Sequence, residues 1–299
     1  MDLIDNKYTI IRHITNGTFS SVYLVKDNNN NNNQYIAKIR IINVNGYAQE
    51  LQITQIVSQT NNPYIILLVD YGNGPIQIGG VQNNSNYLIL DYCPKRHLLH
   101  FIQNVGFNEK YAKFIFFKIV KAVNAIHNCG IYHRNLNLED ILLDNNYELK
   151  ISDFCVAVRT NNPLNDVVGK QRYRPPQMNM NLNYNGEKAD VFSLGVILFK
   201  LVTGIFGFQI ANNQDAHYLL IINRQYNQYF QILPQENITN LSHEFKSLYI
   251  KMISFNEKDR PTLDYILNDN YFNEIKNLNE TEHKLLDLEI KNEFILRDH

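Results

Sequence analysis

Three cysteines in 299 residues, Cys93, Cys129 and Cys155, are too few and too scattered for a disulfide framework or a cysteine-based zinc site. Charge of one sign is also missing. The 28 Lys and Arg face 29 Asp and Glu, a formal net charge of −1, which removes the main electrostatic ground for binding nucleic acid or an anionic membrane. No apolar run reaches the roughly 18 residues of a membrane span, and Met1-Asp2-Leu3-Ile4-Asp5 lacks the character of a secretory leader. The expectation is a soluble, cytoplasmic protein without a membrane span or a nucleic-acid partner. What is present is apolar material, 44% of the chain, enough to bury one large core or two smaller ones.

Asparagine supplies 44 of the 299 residues, including the run Asn28 to Asn33. A prion-like reading does not fit, because the asparagines are interspersed with apolar segments of clear periodicity. The run itself reads as a solvated turn.

The first ninety residues read as strands. Tyr8 to Ile14, Ser21 to Val25 and Gln34 to Arg40 are short, β-branched and aromatic, with a turn at Thr15-Asn16-Gly17-Thr18. One helical pattern interrupts, with Ala48, Leu51, Ile53, Ile56 and Val57 near the helical period. Two further strands are expected around Tyr64–Tyr71 and Tyr87–Tyr92, joined by a Gly/Asn-rich connection. After Pro94 the pattern turns helical: Glu109 to Cys129, stopped by Gly130; Asp190 to Thr203, apolar nearly all round and so buried; then Leu241 to Met252 and Leu263 to Phe272. The fold class is therefore α+β, a strand-rich small lobe followed by a helical large lobe, with a cleft between them. Residues 275–299 are charged with their own leucines and isoleucines, and are expected to form an appended helix.

The chemistry sits in Ile131-Tyr132-His133-Arg134-Asn135-Leu136-Asn137-Leu138-Glu139-Asp140, followed by Ile151-Ser152-Asp153-Phe154-Cys155. These segments resemble the catalytic loop (H-R-D-L-x-x-x-x-N) and the D-F-G motif of the eukaryotic protein kinases. Further segments match in the same order. Thr15 to Val22 resembles the glycine-rich loop, Ile36-Ala37-Lys38 the strand bearing the nucleotide lysine, and Glu50 the lysine's helical partner. Leu90-Asp91-Tyr92-Cys93 resembles the hinge, Tyr173 to Gln177 the A-P-E segment, and Asp259-Arg260-Pro261 the late arginine motif. The resemblance covers residues 8–274, with a small lobe over 8–92 and a large lobe over 94–274. It implies a bilobal kinase-like fold with ATP and Mg²⁺ as cofactors and a protein as substrate or partner.

Residue by residue, the resemblance places Lys38 on the ATP phosphates with Glu50 orienting it. It places Gly17 in the phosphate loop, Val22, Ala37 and Leu142 around the adenine, and Asp91 and Cys93 in the hinge. Asp153 falls on the first Mg²⁺ position. The departures are as informative. Only Gly17 survives of three loop glycines, with Thr15 and Ser20 in the other places, which should lower nucleotide affinity. The second metal ligand is Asp140 instead of asparagine, and Cys155 replaces the glycine of D-F-G. The proton-accepting aspartate is Asn135, an amide with no basic oxygen near neutral pH. The lysine two residues on is Asn137, and the threonine after Gly169 is Lys170, so the polar cluster around the reacting hydroxyl is expected to be taken apart. The resemblance would set a phosphate on Thr160 against Arg134, but an unmodified, solvated loop threonine is the favoured reading. A pseudokinase that binds ATP and works through a partner is the favoured reading. A serine/threonine kinase of weak or unorthodox activity and a nucleotide-free scaffold are the alternatives.

Overall fold

A computed structural model describes residues 2–17, 19–30, 33–40, 46–102, 105–238 and 240–298. Thr18 of the expected loop, and Asn31 and Asn32 of the asparagine run, lie outside them. Asn28 to Asn30 are an exposed turn, with the Asn29 amide donating to Asp27 Oδ1 at 2.8 Å.

Six antiparallel strands close into a small barrel: β1 (Leu3–Ile4), β2 (Tyr8–Asn16), β3 (Ser20–Asp27), β4 (Gln34–Arg40), β5 (Leu68–Ile78) and β6 (Val81–Asp91), in the order β1-β2-β3-β4-β6-β5. Strand β1 seals it by pairing with both β2 and β5, so the small lobe starts before the expected boundary at residue 8. The Gly/Asn-rich stretch expected to be a connection is also strand. Gly72 and Gly74 are there because no Cβ fits: one at Gly72 would lie 2.5 Å from the Tyr87 hydroxyl, and one at Gly74 2.7 Å from Asp5. Helix α1 (Tyr47–Ser58) packs beside this barrel.

Strand alternation decides what faces the cleft. Tyr23, Ala37 and Ile89 are cross-strand partners, and Ala37 and Ile89 are fully buried in the barrel cluster with Ile4, Tyr8 and Val25. Val22, Lys38 and Leu88 form the next rung and therefore point the other way, together with the rung of Leu24, Ile36 and Leu90.

The large lobe is built on α2 (Glu109–Asn128), four short strands β7 (Ile131–Tyr132), β8 (Ile141–Leu143), β9 (Leu149–Ile151) and β10 (Val158–Arg159), and helices α3 (Pro176–Asn179), α4 (Gly186–Thr203), α5 (Ala216–Ile222), α6 (Tyr226–Ile232), α7 (Gln235–Ile238), α8 (His243–Met252) and α9 (Leu263–Asn268). Helix α4 is its axis. It is capped by the Asn185 side chain, ends at Gly204 in the left-handed region (φ 74°), and buries nearly every side chain between. At about 1.5–3 kcal/mol per buried Leu, Ile, Val or Phe, such a helix anchors whatever is bonded to it. The expected helix over Leu263–Phe272 is interrupted at Asp269, whose carboxylate accepts from the Tyr271 amide and starts a separate turn. Beyond it come α10 (Asn273–Lys276) and α11 (Glu280–Arg297), the latter opened by a capping box of Asn279 and Glu282. Leu286, Ile290 and Phe294 turn inward from α11, and the Phe294 ring lies 5.1 Å from Phe101 and 5.5 Å from Phe107.

Candidate active site

On the small-lobe side, Lys38 Nζ lies 2.5 Å from Glu50 Oε1 on α1 and 2.7 Å from Asp153 Oδ1 on the large lobe. One ammonium thus links strand, helix and opposite lobe. Glu50 is itself clamped from behind by Arg40 Nη1 at 2.9 Å. Arg40 is a partner that motif matching missed, although it sits two residues from Lys38 on the same strand face. Burial opposes the charge on Asp153, but the adjoining Lys38 ammonium holds its carboxyl down at about 2. Burial likewise opposes the charge on Lys38, and the Asp153 and Glu50 carboxylates override it and raise its pKa. Asp153 also sits in the left-handed region at φ 64°, a strained conformation for a residue with a Cβ. Cys155 has no positive φ, so its Cβ is accommodated, and burial followed by the Asp153 charge pushes its thiol up to about 12.

Two nucleotide-site expectations are corrected by strand alternation. Ala37 is inside the barrel, and Ile36 takes the cleft-facing place on the Lys38 side. Asp91 turns away from the cleft and lines a cavity of about 200 Å³ behind the hinge with Val57, Asn61 and Lys150. Val22 does share the Lys38 face, and Leu142 lies on β8 between the fully buried Ile141 and Leu143. Cys93 is half-buried against the large-lobe core, its thiol raised to about 12 by burial. Gly17 closes the β2–β3 hairpin, its amide donating to the Ser20 carbonyl at 2.8 Å.

The catalytic-loop side is a network of amides. Leu136 and Leu138 are buried, Asn137 is buried with them under its polar partners, and Asn135 is only partly buried. Asn135 Nδ2 donates to Asp140 Oδ2 at 2.9 Å, and its Oδ1 accepts from the Lys170 backbone amide at 3.1 Å. Asn137 Nδ2 also donates to Asp140, and Asn137 Oδ1 accepts from Lys170 Nζ at 3.1 Å. The Lys170 ammonium is shared with Glu139 at 3.2 Å. The replaced residues are therefore not taken apart but bonded to one another. Burial, and next the Asp153 charge, push the Asp140 carboxyl up to about 6. Gly169, at φ 78°, lets the segment pass over the loop; a Cβ there would lie 2.7 Å from the Arg134 carbonyl.

Behind this layer the framework is rigid. The fully buried Asp190 on α4 accepts from the His133 and Arg134 amides, both at 2.7 Å, with His127 Nε2 at 2.8 Å. His133 Nε2 lies 3.0 Å from the Ser152 carbonyl, and its ring packs on Phe154 at 5.2 Å. Arg260 donates to Gln177 Oε1 at 2.7 Å, and burial lowers its pKa to about 10.

Thr160 and Arg134 are not brought together. Arg134 Nη1 reaches both oxygens of Asp166, at 2.6 and 2.7 Å, with the Tyr184 hydroxyl bonded to the same pair. Thr160 instead accepts from the Asn162 amide in an exposed turn. A permanent carboxylate occupies the place proposed for a phosphate. A single aspartate carries no periodic signal, so the sequence offered no way to find it.

A strand barrel over a helical lobe, with an ammonium held between a helix carboxylate and a carboxylate from the opposite lobe, is the architecture of the bilobal protein phosphotransferases. The protein kinase domain family model matches residues 8–272, and the chain belongs to that family. Among curated relatives it is 32% identical to CBL-interacting protein kinase 11 of Oryza sativa subsp. japonica over 218 residues, 70% of this chain and 42% of the relative. It is 30% identical to CBL-interacting protein kinase 28 of the same organism over 214 residues, 69% of this chain and 47% of the relative. To the probable serine/threonine-protein kinase MARK-A of Dictyostelium discoideum it is 29% identical over 282 residues, 91% of this chain and 24% of the relative. The chain thus spans less than half the length of each of these relatives.

Proposed function

We propose that this protein-kinase domain binds ATP with Mg²⁺ in the cleft beside Lys38, is impaired in phosphotransfer, and acts on a protein partner through its conformation. The observation that carries this reading is the fate of Asn135. Its amide donates to Asp140 and accepts from Lys170, so Asn135 itself offers no basic oxygen to an incoming hydroxyl. General-base assistance is worth about 10²–10⁴-fold, or ~3–5 kcal/mol of barrier.

The donor set fits the cofactor. Among the described residues no cluster of three or more His, Cys, Asp or Glu could hold a metal, but Asp140 and Asp153 supply the one or two carboxylates that Mg²⁺ takes when phosphates complete its shell. The ion, when bound, neutralises charge between carboxylates and polyphosphate. Lys38, freed in part from Asp153, would hold the phosphates, and Glu50 with Arg40 behind it would keep Lys38 in place. Titrating ATP by calorimetry tests this: binding with Mg²⁺ that falls sharply in chelator is expected, and tight chelator-insensitive binding overturns the shared metal site.

A second reading, a slow serine/threonine kinase, draws on Asp140. Its carboxyl is pushed up to about 6 and touches Asn135, so it is the one carboxylate of the loop suited to take a proton near neutral pH. Among the described residues no helix is long and apolar enough to cross a membrane.

A further inference from the structure

Between Asp166 and Glu187 the chain carries no carboxylate, while Lys170, Arg172 and Arg174 recur at every second residue. This ledge starts at the reacting end of the cleft, since the Lys170 amide is bonded to Asn135, and Arg172 lies at most about 7 Å of chain further on. The Arg172 guanidinium stacks on the Phe206 ring at 4.4 Å and donates to Gln209 Oε1. The Lys200 ammonium sits over the same ring at 5.1 Å, bonded to the Gly204 carbonyl. Two cations thus lie against one aromatic ring, and among the described residues no carboxylate lies within ion-pair distance of Arg172. The nearby acids are committed elsewhere: Asp215 accepts from the amides of Gln209, Ile210, His217 and Tyr218, and Glu139 pairs with Lys170.

We infer that the ledge around Arg172 and Phe206 binds an acidic peptide segment, with a glutamate or aspartate seated on Arg172. This deepens the function proposed above and rests on its cleft, naming the chemistry of the protein that occupies it. At about 3.3 Å per extended residue, a segment whose hydroxyl lies near Asn135 would bring a residue roughly two to four positions along the chain onto Arg172. A planar guanidinium already stacked on a ring loses little freedom on meeting a carboxylate bidentately.

The test is fluorescence anisotropy of the full chain with a short labelled peptide, one serine flanked by glutamates, against the same peptide with lysines. It is run without nucleotide, so failure to bind ATP and failure of the ledge are separate results. The glutamate peptide should bind about tenfold or more tightly than the lysine peptide, and less so as salt rises. Arg172→Glu should abolish the preference and Arg172→Lys should keep part of it. Lys284→Glu, the same charge change on the exposed face of α11, should leave it unchanged. Thermal melts check each variant's fold, and Arg172→Gln serves if the glutamate variant does not fold. No binding of either peptide, tighter binding of the lysine peptide, or indifference to Arg172 overturns the inference. Equal, Arg172-dependent binding of a single-stranded oligonucleotide would reassign the ledge to polyphosphate and overturn it as well.

Discussion

The two walls of the cleft have diverged differently. On the small-lobe wall, Lys38 and Glu50 lie in direct contact, reinforced by Arg40 from behind and met by Asp153 from the opposite lobe. On the catalytic-loop wall, Asn135, Asn137, Asp140 and Lys170 have all departed from the family pattern, yet they bond to one another. Holding a polyphosphate needs placed charge, whereas moving a proton needs a basic oxygen at one position. On the function proposed above, this cleft keeps the first requirement and loses the second. In the rebuilt amide network both amide donors that face Asp140 are satisfied.

The sharpest way to break this contrast is to exchange two residues. Asn135→Asp with Asp140→Asn restores a carboxylate at the proton-accepting place and removes the one facing it. Phosphate incorporation into an unbiased peptide library should rise by about 10²–10⁴-fold. Asn135→Asp alone should recover far less, because the new carboxylate would stand where the amide now lies 2.9 Å from Asp140. Two like charges so close hold a proton between them. Equal recovery by the single change would show that the two positions are not coupled.

The opposite wall answers to Lys38→Ala, which removes a charge-assisted phosphate contact. Calorimetry should show ATP affinity reduced roughly ten- to a hundredfold. Unchanged affinity would move the nucleotide elsewhere. A smaller effect is expected from Asp140→Asn, which removes one of two carboxylates beside the polyphosphate. Its ATP binding should depend less steeply on Mg²⁺ than that of the wild type.

The smallest effect concerns the activation segment. Burial opposes ionisation of Asp166, but its bond to Arg134 dominates and lowers its pKa. A carboxyl depressed on folding stabilises above its unfolded pKa, near 4, and that contribution is lost as pH falls through the folded value. Asp166 is about half exposed, so solvent screening limits the pair. Asp166→Asn should lower the melting temperature by roughly 1–3 °C at pH 7, with the difference shrinking below about pH 4. Melts that differ equally at pH 7 and pH 3 would detach the effect from this carboxylate.

The lobes and the catalytic segments were legible in the sequence because they carry periodic or contiguous signals: alternation in Gln34–Arg40, the all-round apolar pattern of Asp190–Thr203, and the His133-to-Asp140 block. Failures came where the signal is not local. The motif places Ala37 in the cleft because motif order carries no strand parity, whereas a period of 2 through Ile36-Ala37-Lys38 sets Ile36 on the Lys38 face. The Gly72–Asn86 stretch reads as a loop because Gly72 and Gly74 answer to Tyr87 and Asp5, residues distant in sequence. Asp166, Arg172 and Lys200 acquire meaning only from what the fold sets beside them.

Whether the cleft holds ATP yet lacks its base is decided by γ-phosphate transfer from labelled ATP, comparing the purified wild-type chain with Asp153→Ala. Transfer from a contaminating kinase survives that substitution, so only activity lost with Asp153 belongs to this chain. Incorporation by the wild type no greater than by Asp153→Ala is expected. Robust incorporation by the wild type, abolished in Asp153→Ala, would contradict it.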